Sequence, residues 1–466
     1  MTAFLTLHDP ATAAAYYRDG LWREETLYGL LATNGAAHPN RFALRDSARR
    51  LTWGQLLRWT DAIAGALDGA GLAPGARVAI WASNRIENVA VALACARQGL
   101  VCNPSLHRNQ SAAEIAARLR QLGAAALVTE VDFDADRSVE SLAQVWRLPP
   151  GREPGPDLPA IGAAPPPLAR PDPNPDRVSY LAFTSGTTGQ PKAVMHSANT
   201  LLANARDMVA DWGHGPETVL LSLSPLSHHI AWVGLAQALL LGAEFVLDDP
   251  PDGARPLDWI IETGATYVMG VPTHAIDLLA EQRRRGGQAL GAVMVFYMAG
   301  APIPPATAAA FLDQGITPQN IYGMTENSSH QYTHPDDDVD VITSTCGRGG
   351  PAYEVRIFRQ DDPDIPAEAG AVGEIGGRGA ALMLGYFADQ AATEAGFNRG
   401  GWFMSGDLGR LDAAGNLHIV GRAKDLIIRG GRNIHPARIE NLALTHPGVD
   451  KAAAFAVPDH RLGEKV

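Results

Sequence analysis

The chain has little of what marks a secreted or membrane-spanning protein. Its three cysteines, Cys95, Cys102 and Cys346, have no metal-ligand spacing and cannot form a disulfide framework. So low a count is typical of a reducing compartment. No run of about 18 apolar residues occurs, so no transmembrane helix is expected. Met1–Gly20 also lacks the basic-then-apolar pattern of a signal peptide. We therefore expect a cytoplasmic protein.

Acidic residues outnumber basic ones, 50 to 38. Lysine is rare, the net charge is −12 and no long basic run occurs, which argues against nucleic acid as a partner. What the chain does have is length and an ordinary apolar content, with 466 residues of which 46% are hydrophobic. A chain this long exceeds one core, so we expect two or more domains.

The pattern along the chain predicts an α/β protein. β-prone runs alternate with segments of helical periodicity in the first three quarters, which favours mostly parallel sheets. A proline-rich stretch from Pro149 to Pro175 indicates a linker or surface loop. After Gly347 the segments become short and glycine-punctuated, which predicts a small antiparallel barrel or twisted sheet. The predicted units are a first α/β subdomain (1–170), a second α/β subdomain (171–346), a small β-barrel subdomain (347–424) and the start of a small α+β C-terminal domain (425–466).

One stretch, Tyr180–Met195, predicts a loop that binds an anion. Val178–Phe183 is apolar and β-prone, and a second strand is predicted at Ala193–Met195. Between them, Thr184–Gly189 holds four hydroxyl residues and two glycines. Glycine lets the backbone approach a ligand closely, and hydroxyls with free N–H groups suit a polyphosphate. Lys192 adds a positive charge to the same loop.

The alternative for this loop is a plain Ser/Thr/Gly turn between two strands. A Walker loop is disfavoured, because Gln190 and Pro191 separate the last glycine from the lysine.

The stretch resembles the phosphate loop of the adenylate-forming superfamily, which includes acyl-CoA synthetases, adenylation domains of peptide synthetases and luciferases. The resemblance implies an enzyme that joins a carboxylate to AMP from ATP, uses Mg²⁺, and passes the acyl group to CoA. It implies that the phosphates are held by Thr184, Ser185, Gly186, Thr187, Thr188, Gly189 and Lys192.

A second signature is Ile321–Glu326, where a predicted strand ends and an aromatic, a hydroxyl and a carboxylate follow. As a bare pattern it is also compatible with a helix N-terminus capped by Thr325. It resembles the superfamily's Tyr-Gly-x-Thr-Glu, which implies that Tyr322 stacks on adenine. The same resemblance implies that Thr325 binds the α-phosphate and that Glu326 holds Mg²⁺, a hard cation that prefers oxygen ligands. Gly323 and Met324 would then border the nucleotide.

Two further segments complete the predicted nucleotide site. Gly300-Ala301-Pro302 follows a predicted strand, where α/β sheets bind ligands, and resembles the segment that borders adenine; an ordinary turn is the alternative. Ser405-Gly406-Asp407 and the later Arg422 resemble the third signature. It implies that Asp407 accepts the ribose hydroxyls, with Arg422 as the nearest cation, whereas a common turn aspartate is the alternative.

Ser224–His229 resembles the superfamily's Pro-x-x-His segment, which implies that His228 lines the acyl and pantetheine tunnel; a structural or surface histidine is the alternative. His229 receives no role. The residues expected along the acyl pocket are Trp232, Val233 and Gly234. Asp425 resembles the hinge of the mobile domain, and the loop implied to face CoA contains Gly430 and Gly431. Arg438 stands where the superfamily has a glutamate.

The superfamily's adenylation lysine lies in a Gly-Lys-containing segment near the end of the small domain. This chain ends at Glu464-Lys465-Val466, before such a segment, and Lys465 does not stand in that context. We therefore expect a truncated small domain, weak or absent adenylation by this chain, and retained binding of ATP, AMP or acyl-adenylate.

The acid is predicted from Asn327–Asp338 and Thr345–Arg348, which resemble the group that includes cyclohexanecarboxylate–CoA ligase and medium-chain acyl-CoA synthetases. An alicyclic acid is the first choice and a medium-chain fatty acid the second. No anchor for a polar amino-acid side chain is evident, which weighs against a peptide-synthetase domain. Two other functions stay open: a non-catalytic acyl-adenylate binder and an enzyme that loads a carrier protein.

Overall fold

The computed structural model describes residues 4–133, 142, 144–150, 152, 155, 157–184, 191–287, 289–301, 303–429, 432–443, 446, 448–449 and 452–466. The helices are α1 Pro10–Arg18, α2 Leu27–Ala37, α3 Trp53–Gly69, α4 Ile86–Arg97, α5 Ala112–Leu122, α6 Ala198–Trp212, α7 His229–Leu241, α8 Pro256–Thr263, α9 Pro272–Arg284, α10 Pro305–Leu312, α11 Val339–Ser344, α12 Gln390–Ala395 and α13 Pro436–Ala443. A 3₁₀ turn spans Ala423–Asp425.

The strands in chain order are β1 Phe42–Arg45, β2 Arg50–Thr52, β3 Arg77–Trp81, β4 Val101–Asn103, β5 Ala126–Glu130, β6 Gln144–Leu148, β7 Val178–Thr184, β8 Lys192–Ser197, β9 Val219–Ser222, β10 Glu244–Leu247, β11 Tyr267–Gly270, β12 Val295–Met298, β13 Thr317–Met324, β14 Ser328–Tyr332, β15 Tyr353–Phe358, β16 Gly373–Gly379, β17 Phe403–Leu411, β18 Leu417–Arg422, β19 Ile427–Arg429, β20 Arg432–Ile434, β21 Val457–Asp459 and β22 Gly463–Lys465.

Two large sheets form the body of the molecule. The six-stranded sheet has the order β6-β5-β3-β4-β7-β8, and the eight-stranded sheet has the order β14-β13-β12-β11-β9-β10-β1-β2. Inner pairs in both are parallel, whereas β7–β8, β13–β14 and β1–β2 are antiparallel. The predicted mixed α/β fold is confirmed.

Each large sheet takes strands from both sides of residue 170. β1 and β2 extend the eight-stranded sheet, and β7 and β8 extend the six-stranded sheet. The predicted boundaries at residues 170, 346 and 424 stay predictions.

Local sequence fixes the ends of the helices between these strands. Thr52 and Gln55 form a capping box at the start of α3, and Ser111 and Glu114 form another at α5. α5 ends at Gly123, whose left-handed φ of 55° suits glycine.

One continuous core joins the two large sheets. Helices α2, α3, α4, α6 and α7 pack into it with strands from both sheets. Every residue of α4 except Ala96 is buried, as expected for a helix covered on all sides. The two sheets are therefore held together by shared packing, which fixes the positions of the loops at their strand ends.

The later part of the chain adds two smaller sheets. Strands β15–β18 form an antiparallel sheet in sequential order, and its apolar face packs on Tyr322 and Cys346. The last sheet has the order β20-β19-β22-β21. The apolar run Ala452–Val457 predicts a strand, and that prediction is wrong: β21 begins at Val457, because β22 pairs with Val457–Asp459. The preceding alanines have little strand preference of their own.

Every helix in the described ranges is too short or too polar to span a bilayer.

Candidate active site

The hairpin of β7 and β8 carries the predicted phosphate groups to the edge of the six-stranded sheet. Thr184, the last residue of β7, pairs with Lys192, the first of β8. The Lys192 ammonium lies 4.7 Å from the centroid of the Tyr386 ring. The predicted ligands Ser185, Gly186, Thr187, Thr188 and Gly189 lie outside the described residues.

The second signature forms a hairpin, and its alternative as a helix N-terminus was wrong. β13 continues through Met324, a turn follows, and β14 begins at Ser328. The Asn327 side chain closes this turn by accepting from the Met324 N–H at 3.0 Å. Gly323 is required here, because a Cβ atom would lie 1.8 Å from the Ser328 carbonyl oxygen. The antiparallel pairing with β14, which the sequence prediction missed, thus decides the conformation.

This turn presents Glu326 in a buried position. The Tyr386 hydroxyl donates to Glu326 Oε1 at 2.9 Å. Burial raises the pKa of the Glu326 carboxyl; the Tyr386 hydrogen bond and the positive charges of Lys192 and Arg422 oppose that shift. Glu326 is therefore a carboxyl whose negative charge is only partly balanced by its neighbours.

The third signature brings a second buried carboxyl to the same region. The Tyr322 hydroxyl donates to Asp407 Oδ2 at 2.9 Å, and Arg422 Nε lies 3.2 Å from Asp407 Oδ1. Asp407 and Arg422 are direct neighbours across β17 and β18. Burial raises the pKa of Asp407, while Arg422 and Tyr322 lower it. Ser405 accepts a hydrogen bond from the Asp407 N–H at 3.1 Å and so shapes the local backbone.

Direct contacts bring the signatures together: Lys192 lies against the Tyr386 ring, Tyr386 donates to Glu326, and Tyr322, on the same hairpin as Glu326, donates to Asp407. Arg422 acts on the pKa of both Glu326 and Asp407, and Lys192 acts on that of Glu326. Residues from the β7–β8 hairpin, the end of β13, and strands β17 and β18 thus converge, although more than 200 positions of sequence separate Lys192 from Asp407.

Gly300 and Ala301 follow β12 and are exposed, while Pro302 lies outside the described residues. Gly300 has a φ of 86°, and a Cβ atom there would stand 3.5 Å from Val271 Cγ1 and 4.0 Å from Ile230 Cδ1. This places the predicted adenine segment beside the first turn of α7.

The predicted tunnel residues separate into two environments. His228 is exposed at the start of α7, and its ring lies 4.7 Å from that of His107. Trp232, Val233 and Gly234 are buried in the main core, where the Trp232 indole donates to a backbone carbonyl at 2.7 Å. Their tunnel and pocket roles stay predictions.

The predicted hinge and the predicted CoA-facing loop lie in the C-terminal region. Asp425 is exposed in the 3₁₀ turn that follows Arg422, and its charge raises the pKa of Asp407. Gly430 and Gly431 lie outside the described residues. The hinge and the CoA-facing loop stay predictions.

Sequence reasoning missed three side chains beside this site. Tyr386 binds Glu326, as described above. His196 on β8 is buried, its Nε2 lies 2.7 Å from the Thr325 carbonyl, and burial lowers its pKa to about 4. His229 is half-buried with its Nε2 3.0 Å from Ser328 Oγ, and desolvation lowers its pKa well below the usual value. None of these residues belongs to a pattern that local periodicity reveals.

Comparison with known proteins identifies the class. The model of the family described as AMP-binding enzyme matches residues 31–387. A feruloyl-CoA synthase from Amycolatopsis sp is 31% identical over 428 residues, covering 91% of this chain and 84% of that protein. A medium-chain fatty-acid–CoA ligase from Escherichia coli K12 is 29% identical over 469 residues, covering 97% of this chain and 82% of that protein. ATP-bound MatB from Rhodopseudomonas palustris has a TM-score of 0.83 at 27% identity, covering 94% of this chain and 87% of that one.

The chain therefore belongs to the AMP-binding enzyme family, the adenylate-forming enzymes. The predicted enzyme class, an AMP-forming acid–thiol ligase, is confirmed at the level of this family. The two relatives are named for different acids, so membership does not fix the substrate.

Proposed function

We propose that the protein is an ATP-dependent carboxylate–CoA ligase whose acid is alicyclic, such as cyclohexanecarboxylate, with a medium-chain fatty acid as the second candidate. The observation that carries the reaction is the convergence of Lys192 and two buried carboxyls, Glu326 and Asp407. Tyr386 joins Lys192 to Glu326, and Asp407 contacts Tyr322 and Arg422. A nucleotide triphosphate has an anionic end and a ribose end, and the site offers a charged group for each.

In the first step, a carboxylate oxygen of the acid attacks the α-phosphorus of ATP and pyrophosphate leaves. Lys192 and the hydroxyls of Thr184 and Thr325 stabilise the negative charge that develops on the phosphates. In the second step, the CoA thiol gives its proton to solvent and its sulfur attacks the acyl carbonyl carbon; the bond from that carbon to the phosphate oxygen breaks, and AMP leaves. His228 would lie along the path of that thiol.

At the other end of the nucleotide, Asp407 would accept hydrogen bonds from the ribose hydroxyls. Its contacts with Tyr322 and Arg422 hold the carboxylate in one orientation. Tyr322 is itself buried, and its hydroxyl is already used by Asp407, which leaves its ring to meet adenine.

Glu326 suits Mg²⁺, because it is a buried carboxylate whose charge is only partly balanced. Among the described residues, no group of three or more His, Cys, Asp or Glu side chains could hold a metal alone. The cation would therefore be shared between Glu326 and the phosphates, as is usual for Mg²⁺. When bound, it supplies positive charge at the reacting phosphate.

The proposal for the acid rests on residue type. The predicted pocket residues Trp232 and Val233 are apolar, and the groups beside Gly300 are the side chains of Ile230 and Val271. A wall of this kind favours a hydrocarbon body over a charged or polar one. Asn327–Asp338 resembles the group of enzymes that includes cyclohexanecarboxylate–CoA ligase, and this resemblance favours the alicyclic acid.

A panel of acids with ATP, Mg²⁺ and CoA, assayed with the full-length gene product, tests the proposal, with thioester formation measured by chromatography. We expect cyclohexanecarboxylate to give the highest kcat/KM, octanoate to come second, and ferulate and polar amino acids to react poorly. A clear preference for ferulate would overturn the choice of acid. Binding of AMP by calorimetry without turnover on any acid would favour the acyl-adenylate binder, and transfer to a carrier protein but not to CoA would favour the loading enzyme.

A further inference from the structure

Two histidines lie between the β7–β8 hairpin and the turn that carries Glu326. His196 and His229 stack with their ring centroids 5.3 Å apart and an interplanar angle of 21°. His196 belongs to β8, and His229 is the first residue of α7. Neither has a role in the function proposed above.

His196 connects β8 to the turn through its two ring nitrogens. Nε2 lies 2.7 Å from the Thr325 carbonyl oxygen, and Nδ1 lies 3.0 Å from Thr200 Oγ1. A carbonyl can only accept, so the Nε2 nitrogen carries the proton and donates. In a neutral imidazole Nδ1 then accepts, and the Thr200 hydroxyl is its donor.

His229 connects β7 to the other end of the same turn. Its Nδ1 lies 3.3 Å from the Tyr180 hydroxyl, and its Nε2 lies 3.0 Å from Ser328 Oγ. Ser328 has a φ of 58°, a left-handed conformation that costs free energy for a residue other than glycine. The surrounding contacts must therefore hold Ser328 in place.

We propose that His196 and His229 are positioning residues that hold the turn from Thr325 to Ser328 at a fixed distance from the β7–β8 hairpin. This inference rests on the proposed function, in which the hairpin and the turn bind the same phosphates. Each histidine spans from one strand of the hairpin to one end of the turn. Together they set the spacing between Lys192 and Glu326, neither of which they touch.

The spacing matters because charge stabilisation falls quickly when donors are misplaced by as little as an ångström. Loss of one histidine would leave the predicted ribose site intact, since Tyr322 and Arg422 both contact Asp407 directly. The defect should therefore appear in phosphate chemistry and phosphate binding, and spare the adenosine part of the nucleotide.

Substitutions at His229 separate its two contacts. His229→Phe removes both, His229→Gln keeps a polar group near the Nε2 position that meets Ser328, and His229→Asn keeps one near Nδ1. The control is His214→Phe, because His214 stacks on Tyr267 at 4.5 Å, at the amino end of β11 and away from the site.

The first measurement is ATP–pyrophosphate exchange by the full-length gene product with the best acid. We expect His229→Phe to lower kcat about 30-fold, the order expected when a group that orients a ligand-binding residue is lost. The KM of the acid should change less than kcat, because the pocket residues assigned above, Trp232 and Val233, are not themselves replaced. The rates should rank Gln above Asn and Phe, and His214→Phe should match the wild type.

Equal rates for His229→Phe and His214→Phe would overturn the inference, and so would a ranking with Asn above Gln. If His229→Phe does not fold, Tyr180→Phe and Ser328→Ala each remove one hydroxyl without changing the ring. Each should lower the exchange rate several-fold, and wild-type rates in both would contradict the proposal.

A second readout needs no turnover and keeps the two proposals apart. Calorimetry should show that His229→Phe weakens ATP binding about tenfold relative to the wild type while adenosine binding is unchanged. Wild-type protein that binds ATP but activates no acid would refute the proposed function and still permit this comparison. Equal losses for ATP and adenosine would refute the positioning role alone.

Discussion

The two buried carboxyls of the site differ in how their charge is balanced. Each accepts a tyrosine hydroxyl at 2.9 Å, Glu326 from Tyr386 and Asp407 from Tyr322. Asp407 also has a guanidinium at 3.2 Å, whereas the cations near Glu326 act on it from a distance. Protein contacts therefore orient the Asp407 carboxylate without a ligand. The charge of the Glu326 carboxylate is balanced less completely, so it can bind a cation. We call these the ribose corner and the phosphate corner.

The largest expected effect comes from removing the charge at the phosphate corner. Glu326→Gln keeps an acceptor for Tyr386 but loses the carboxylate, so kcat for exchange should fall about 100-fold or more. The matched control is Glu354→Gln, an exposed glutamate on the small sheet, which should leave the rate unchanged. A drop below threefold would show that this charge is not used.

The same variant should be more stable than the wild type. Burial raises the pKa of Glu326, so the folded state holds its proton more tightly than the unfolded state. Ionisation of Glu326 therefore lowers the free energy of unfolding as pH rises through the folded pKa. Below the unfolded pKa the group is protonated in both states and has no such effect. Glu326→Gln should raise the melting temperature of the ligand-free protein at pH 7.5, but not at pH 4.

The ribose corner should respond differently. Asp407→Asn replaces a charge-assisted acceptor by an amide, so the KM of ATP should rise about tenfold or more. Because the ribose does not change during the reaction, kcat should change by less than about threefold. Steady-state kinetics at saturating acid measure both constants. A fall in kcat with an unchanged KM would place Asp407 in the chemistry instead.

A third contrast concerns the histidines behind each corner. His196 and His229 have partners on both ring nitrogens, whereas His330, next to Tyr322 and Tyr353, has no hydrogen-bond partner for either nitrogen within the described residues. Burial lowers the pKa of His330 to about 3. Below about pH 6.5 the His330 side chain is therefore protonated in the unfolded chain but not in the folded chain. The free energy of unfolding falls as pH drops below that value.

His330→Phe removes this proton linkage. The wild type should lose about 1.4 kcal/mol relative to His330→Phe between pH 7.5 and pH 5.5, since one pKa unit corresponds to that free energy. Urea unfolding of both proteins at the two pH values measures the difference. A constant difference would mean that His330 is already protonated in the fold or is solvated in it.

The sequence predicts the elements whose signals are local. The sequence predicts a helix at Ala112–Leu122 and a buried strand at Arg77–Trp81, and α5 and β3 have these bounds. A capping box and a left-handed glycine mark the ends of the helix, and an apolar run marks the strand. Lys192 was also a clear signal, as the only lysine among the first 423 residues. Tyr386 and His229 could not be found this way, since their roles arise only when distant strands pack together. β14 was missed because its buried side chains are mostly polar, and those of Ser328, Ser329 and Tyr332 bond to other segments.

The smallest effect sharpens the comparison of the two corners most directly. The Tyr386 hydrogen bond lowers the pKa of Glu326, so Tyr386→Phe should raise that pKa and leave the carboxyl protonated over a wider range. At pH 8 the exchange rate should fall only about threefold, because the substitution removes one hydrogen bond to the Glu326 carboxylate and keeps the aromatic ring at position 386. The acid limb of the pH–rate profile should move to higher pH.

Tyr322→Phe removes the corresponding bond at Asp407, where Arg422 also favours ionisation. The acid limb of the Tyr322→Phe profile should therefore move less. If both limbs moved equally, the guanidinium would not be what distinguishes the two carboxyls.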